Sequence, residues 1–136
     1  MTDEIRQCDL PDVTALAFLG DAIFSHAVRA MLVGRGISRS GELTRLSLAY
    51  VTAEAQSEGY KAIEGSLTEP ELAVSHRAAN SHRLNPPKHA PHADYRRATA
   101  LEALLGMLEV TGQSERLQTL LDTLLSTLAP REGSVN

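Results

Sequence analysis

Residues 12 to 34 read DVTALAFLGDAIFSHAVRAMLVG, and this stretch decides the fold class. Leu16, Leu19, Ile23, Ala27 and Met31, with the neighbouring Val28, recur at the three- to four-residue spacing that puts side chains on one face of an α-helix. Asp12 stands where an N-cap belongs, and Gly34 and Gly36 follow the last periodic residue. A helix is therefore predicted from Asp12 to about Met31 or Leu32.

The same period continues outward. Leu43, Leu46, Tyr50, Ala53, Ala55, Tyr60 and Ile63 read as one long helix or two shorter ones broken near Val51 and Thr52. Thr68 followed by Glu71 is a capping-box spacing, with Pro70 tolerated in the first turn, so a helix should run from there to about Ala79. Residues 80 to 92, NSHRLNPPKHAPH, hold three prolines and read as a basic exposed loop. Asp94 is placed to cap a helix carrying Ala98, Leu101, Leu104, Leu105 and Leu108 that ends at Gly112. Ser114 should cap a last helix whose stripe of Leu117, Leu120, Leu121, Leu124, Leu125 and Leu128 stops at Pro130.

These elements imply an all-α fold. Aromatic residues make up only 4% of the chain, and its apolar content is mostly Leu and Ala, which favour helices over strands. At 136 residues one domain is expected, spanning residues 12–129 between an N-terminal tail, 1–11, and a C-terminal tail, 130–136. The single cysteine, Cys8, excludes an internal disulfide, and no apolar run is expected to reach the roughly 18 to 20 residues that span a bilayer. With an acidic rather than basic-apolar N-terminus, these features point to the cytoplasm. A net charge of −4 excludes a protein coated in basic residues, so any nucleic-acid contact must come from a local patch.

Two acids lie where surface charges are unexpected. Asp21 sits inside ALAFLGDAIF and Glu102 inside ATALEALLGML, so each is expected to be partly buried. A lone buried carboxylate costs several kcal/mol unless it is paired, hydrogen-bonded or bound to a cation. Gly20 precedes Asp21 and Gly106 lies one turn beyond Glu102, although glycine within a helix costs roughly 1 kcal/mol relative to alanine. Close contact of the two helices there would bring both acids onto one hard cation such as Mg²⁺. The residues alone leave another reading open, in which each acid is simply capped or salt-bridged on its own helix.

At these residues the sequence resembles a known family. ALAFLGDAIF is similar to the L-E-F-L-G-D-A signature of the ribonuclease III family, and ATALEALLGML to its second acidic segment, D-x-x-E-A-L-I-G. From about Leu10 to Leu128 the chain resembles most the Mini-III branch, a catalytic domain without a separate double-stranded-RNA-binding domain. The resemblance includes the VTAEAQ segment, Arg77 and Asn80 in R-x-x-N, the PPK loop and ADYRRATALEALLG. It implies the ribonuclease III catalytic fold and Mg²⁺-dependent cutting of double-stranded RNA to 5′-phosphate and 3′-hydroxyl ends. It further implies maturation of precursor 23S ribosomal RNA, homodimers, and a ribosomal protein on the substrate as a candidate partner.

Carried over residue by residue, the resemblance makes Asp21 and Glu102 the catalytic, metal-holding carboxylates. The chain departs from the larger enzymes at Ala17 and Thr99, where they have acids, which halves the acidic cluster and leaves open the number of metal ions. The Thr99 hydroxyl is a candidate to orient a metal-bound water. Arg77, Asn80, Arg83, Lys88 and Arg96 are the candidate RNA contacts, since duplex RNA is recognised largely through its backbone and 2′-hydroxyls. His82, His89 and His92 lie close together but lack the spacing of a metal site. Two other functions remain open at this point: an RNA-binding module of the same fold without catalysis, and a helical adaptor that binds protein only.

Overall fold

The computed structural model describes residues 4–81 and 92–130. Among them are six α-helices and no strand: α1 (Val13–Gly34), α2 (Ser40–Val51), α3 (Ala53–Glu64), α4 (Glu69–Ala79), α5 (His92–Val110) and α6 (Ser114–Leu128). The arrangement is built around α5, which packs against α1, α3 and α4 and, less extensively, α6. From Ala98 to Leu108 every residue of α5 except Glu102 is buried. A helix apolar on nearly all sides can satisfy itself only in the middle of a fold, so the other helices wrap it.

On α1 the core face is Leu16, Ala17, Gly20, Phe24, Val28 and Leu32. Of the expected stripe, Leu16 and Val28 belong to this face, whereas Leu19, Ile23, Ala27 and Met31 are only partly buried and line a groove toward α6. The core face is rotated because Phe24, fully buried, and the small Gly20 supply the contact with the rest of the core. By length and a mean hydropathy of 1.5, α1 also passes as a membrane span, contrary to the sequence expectation. Its burial of Leu16, Phe24, Val28 and Leu32 is the pattern of a core helix.

The helix ends follow local chemistry with two corrections. Thr52 is the break between α2 and α3, extended at φ −70° and ψ 158°, and its hydroxyl accepts from the Ala55 N–H at 3.2 Å. Gly112 closes α5 at φ +73°, a conformation glycine adopts without a Cβ penalty. However, α5 starts at His92, directly after Pro91, so Asp94 lies within the first turn rather than capping it. Likewise Gln113 is the N-cap of α6, with Ser114 its first residue. Ahead of α1, the Ile5 N–H donates to the Val110 carbonyl at 2.6 Å and Leu10 packs against the core.

The capping box of α4 forms as expected but does more than cap. The Glu71 carboxylate accepts from the Thr68 N–H at 2.9 Å and is held by Arg116 of α6 through two bonds, each 2.9 Å. Arg116 also donates to the Ser66 carbonyl at 2.9 Å. Glu71 is only 2% exposed, and Arg116 is the counter-charge that allows this burial. The guanidinium, foremost, holds the Glu71 carboxyl below its usual range, and in return the Arg116 pKa is raised. A depressed acid stabilises the fold above its ordinary pKa, and that stability is lost as pH falls through the lowered value. Arg116→Met should therefore cost about 2–3 kcal/mol at neutral pH, where it strands a buried carboxylate. Thermal unfolding should show that deficit shrinking as pH falls through the acid range. A deficit independent of pH would place the role of Arg116 in packing alone.

Candidate active site

The contact between α1 and α5 is made backbone to backbone. A Cβ on Gly20 would overlap the Glu102 carbonyl oxygen, and one on Gly106 would overlap the Leu16 carbonyl oxygen. Even alanine at either position would force the helices apart. Asp21 follows the first contact directly, and Glu102 is part of it, so this crossing sets the separation of the two carboxyl groups.

Those groups meet. A side-chain hydrogen bond joins Glu102 to Asp21. Burial, then this bond and the repulsion from Asp21, push the Glu102 pKa up to about 8. Two carboxylates sharing one site cannot both ionise cheaply, so at neutral pH the pair calls for a proton or a cation between them. Glu102 is partly buried as expected, whereas Asp21 is exposed, because it lies on the outer edge of α1 just beyond the contact.

The pair fits a hard divalent cation. It offers carboxylate oxygens at an open edge, and Mg²⁺ takes one or two carboxylates and fills its remaining positions with water and phosphate oxygens. Among the described residues no cluster of three or more His, Cys, Asp or Glu forms a fuller cage. Ala17 and Thr99 are both buried, and the Thr99 hydroxyl donates to the Tyr95 carbonyl at 3.0 Å, one turn back along α5. That bond occupies the hydroxyl proton, a different partner from the metal-bound water suggested by the sequence.

Of the candidate RNA contacts, Arg77, Asn80 and Arg96 gather where α4 ends and α5 begins, all three exposed. Arg96 donates to the Asn80 side-chain oxygen, joining the two helix ends. The neighbouring Arg97 turns inward instead, 3.9 Å from Asp94 and 3.5 Å from the Ser57 hydroxyl of α3. Arg96 precedes Glu102 by six residues, about 9 Å along the helix. Arg83, Lys88, His82 and His89 lie outside the described residues, and His92 is exposed at the start of α5. Sequence reasoning missed the arginines at the junction of α1 and α2, which a windowed charge count would have found.

A sequence model of the ribonuclease III domain matches residues 14–113. The chain belongs to the ribonuclease III family. It is 39% identical over 112 residues to Mini-ribonuclease 3 of Brevibacillus brevis, covering 82% of this chain and 84% of the relative. Against Mini-ribonuclease 3 of Symbiobacterium thermophilum identity is 42% over 112 residues, covering 82% and 85%. The crystal structure of protein FN1578 from Fusobacterium nucleatum superposes with a TM-score of 0.79 at 28% identity, covering 90% of this chain and 98% of that one. This member of the family is accordingly an endoribonuclease with the family's all-α fold.

The raised Glu102 pKa has a measurable consequence for the metal-free enzyme. Between the unfolded value near 4.5 and the folded value of about 8, the native state holds a proton that the unfolded state has released. This stabilisation is complete below the lower value and lost as pH rises through the upper one. In EDTA the melting temperature should therefore fall from pH 5 to about pH 8 more steeply for the wild type than for Glu102→Gln. Adding Mg²⁺ at the upper pH should raise the wild-type melting temperature and leave the variant unchanged. Parallel curves for the two proteins would mean that the carboxyls are uncoupled.

Proposed function

We propose that this protein is a Mg²⁺-dependent endoribonuclease that cleaves double-stranded RNA as a cytoplasmic homodimer, with precursor 23S ribosomal RNA as its substrate. The observation that carries the proposal is the Asp21–Glu102 pair, forced together by the glycine crossing and left open to solvent on the Asp21 side. Maintaining two acids in contact serves no evident purpose in packing, and it favours catalysis over a binding module that has lost it. The ribosomal substrate, and a ribosomal protein bound to it as partner, rest on the likeness to Mini-ribonuclease 3 proteins.

Mg²⁺, when bound, supplies Lewis acidity to the scissile phosphate and the attacking water. The chain's own groups would position it: Asp21 and Glu102 would hold the cation, and the buried crossing keeps them from moving apart. Arg77, Asn80 and Arg96, exposed where α4 ends and α5 begins, are the groups proposed to grip the RNA backbone together with the sequence candidates Arg83 and Lys88, a contact that selects duplex shape rather than sequence. Labelled duplex RNA should be cut with Mg²⁺ and left intact with EDTA. Asp21→Asn and Glu102→Gln should each lower the rate by at least roughly a thousandfold while retaining fold and duplex binding. Near-normal turnover by both variants in saturating Mg²⁺ would remove these carboxylates from the mechanism. Preference for precursor 23S termini over an unrelated duplex tests the substrate assignment.

Two sites related by a two-fold axis match the antiparallel strands of a duplex, so a homodimer can present both strands to a carboxylate pair. The apolar surface such a pairing requires lies on α1. Phe18 is 83% exposed, and beside it a groove of about 750 Å³ runs between α1 and α6, lined by Leu19, Ile23, Ala27, Leu117, Leu121 and Leu125. Phe24, on the opposite side of α1, is in the core and cannot serve. Phe18→Glu should yield a folded monomer in sedimentation and cut duplex cleavage by at least about tenfold, because each docking event then presents one site. A monomer that still severs both strands in one encounter would defeat the dimer.

A further inference from the structure

α1 carries Asp21 near its middle and ends at a corner whose charge is opposite to that of the rest of the molecule. From Val28 to Val51 the sequence holds Arg29, Arg35, Arg39 and Arg45 against a single acid, Glu42. That segment carries +3 in a chain of −4, so the remainder carries −7. The structure gathers these arginines: Arg35 is the C-cap of α1, Arg39 the N-cap of α2, and Arg29 and Arg45 lie six residues to either side. α1 and α2 pack against each other, and all four side chains are exposed.

Elsewhere among the described residues most cations are matched with acids, Arg77 and Arg96 at the α4–α5 junction being the exceptions. Arg6 sits on Asp9, Lys61 on Glu58, Arg97 on Asp94 and Arg116 on Glu71. At the corner only Arg45 has such a neighbour, Glu42 at 3.9 Å. Among the described residues Arg29, Arg35 and Arg39 form no ion pair, and Arg39 makes no cap bond to α2. All four are arginines, whose planar fork binds phosphate oxygens in pairs.

We infer that the α1–α2 corner is a second phosphate-contact surface for duplex RNA, gripping the backbone away from the bond being cut. This rests on the reading of the protein as a duplex ribonuclease. Arg29 follows Asp21 by eight residues and Arg35 by fourteen, about 12 and 21 Å along the same helix. That is too far to touch the scissile phosphate, and suited to phosphates farther along the same duplex. Because one helix carries both the metal-holding Asp21 and the corner, a backbone seated on the arginines is held in a fixed relation to the carboxylates. A surface that contacts only phosphates adds affinity and register without sequence preference.

The test compares Arg29→Ala/Arg35→Ala/Arg39→Ala with the corresponding triple lysine variant and with Arg6→Ala/Lys61→Ala as a control. Binding to a mixed-sequence duplex of about 30 base pairs is measured in EDTA across roughly 50 to 200 mM salt. The alanine triple should weaken binding at least about tenfold at the low end and flatten the salt slope by roughly 2 to 3. The lysine triple should keep the wild-type slope, and the control should match wild type in both. In Mg²⁺ the alanine triple should raise KM with kcat nearly unchanged, since its residues do not touch the reacting phosphate. Duplex binding by the wild type with an unchanged slope in the alanine triple would overturn this inference alone. Failure of the wild type to bind duplex RNA would overturn the proposed function along with it.

Discussion

The backbone contact of α1 with α5 is the constraint on which the rest of the molecule depends. Gly20 lies against the Glu102 carbonyl and Gly106 against that of Leu16, so the two helices approach more closely than any Cβ would permit. Glycine in a helix interior costs roughly 1 kcal/mol in propensity, and two are used here in the longest helices of the fold. The return is dispersion contact over the buried faces of both helices and a fixed placement of the side chains at the crossing. Core and candidate active site are thus set by the same contact, and a change that loosens one loosens the other.

That coupling explains how an unfavourable arrangement is maintained. Asp21 and Glu102 repel when both are charged, and the burial of Glu102 sharpens the conflict. Left on flexible segments they would swing apart, but a buried helix cannot rotate without exposing Leu101, Leu104 or Leu105 to water. Packing free energy therefore opposes electrostatic repulsion, and the outcome is a site with affinity for positive charge. Glu71 presents the contrasting case: its burial is met within the chain by Arg116 and the Thr68 N–H, so nothing external is required and its role ends with stability.

Charge follows the same division across the surface. An acidic chain would be repelled by a polyanion unless its cations were segregated, and they are. Arg77 and Arg96 lie at the α4–α5 junction, and the arginines beyond Asp21 at the α1–α2 corner, while most other cations are neutralised by neighbouring acids. In the proposed function the acidic remainder would limit unspecific association with nucleic acid, and the separated basic regions would leave orientation to the duplex itself.

Periodicity, caps and turn residues by themselves pointed to an all-helical chain, to Val51 and Thr52 as the place where a long helix could break, to a helix end at Gly112, and to Asp21 and Glu102 as acids within apolar stretches of sequence. These are local properties, written in the spacing of neighbouring residues. Which face of α1 turns inward was not legible, because the stripe through Leu19 and Ile23 and the face through Gly20 and Phe24 are both apolar. Only the close approach of α5 at Gly20 chose between them, burying Phe24 and leaving Phe18 exposed. The partner of Glu71, forty-five residues away, and the exposure of Asp21 were likewise decided by tertiary structure. Side-chain pairing between distant helices depends on how their axes cross, and no periodicity along one helix encodes that angle.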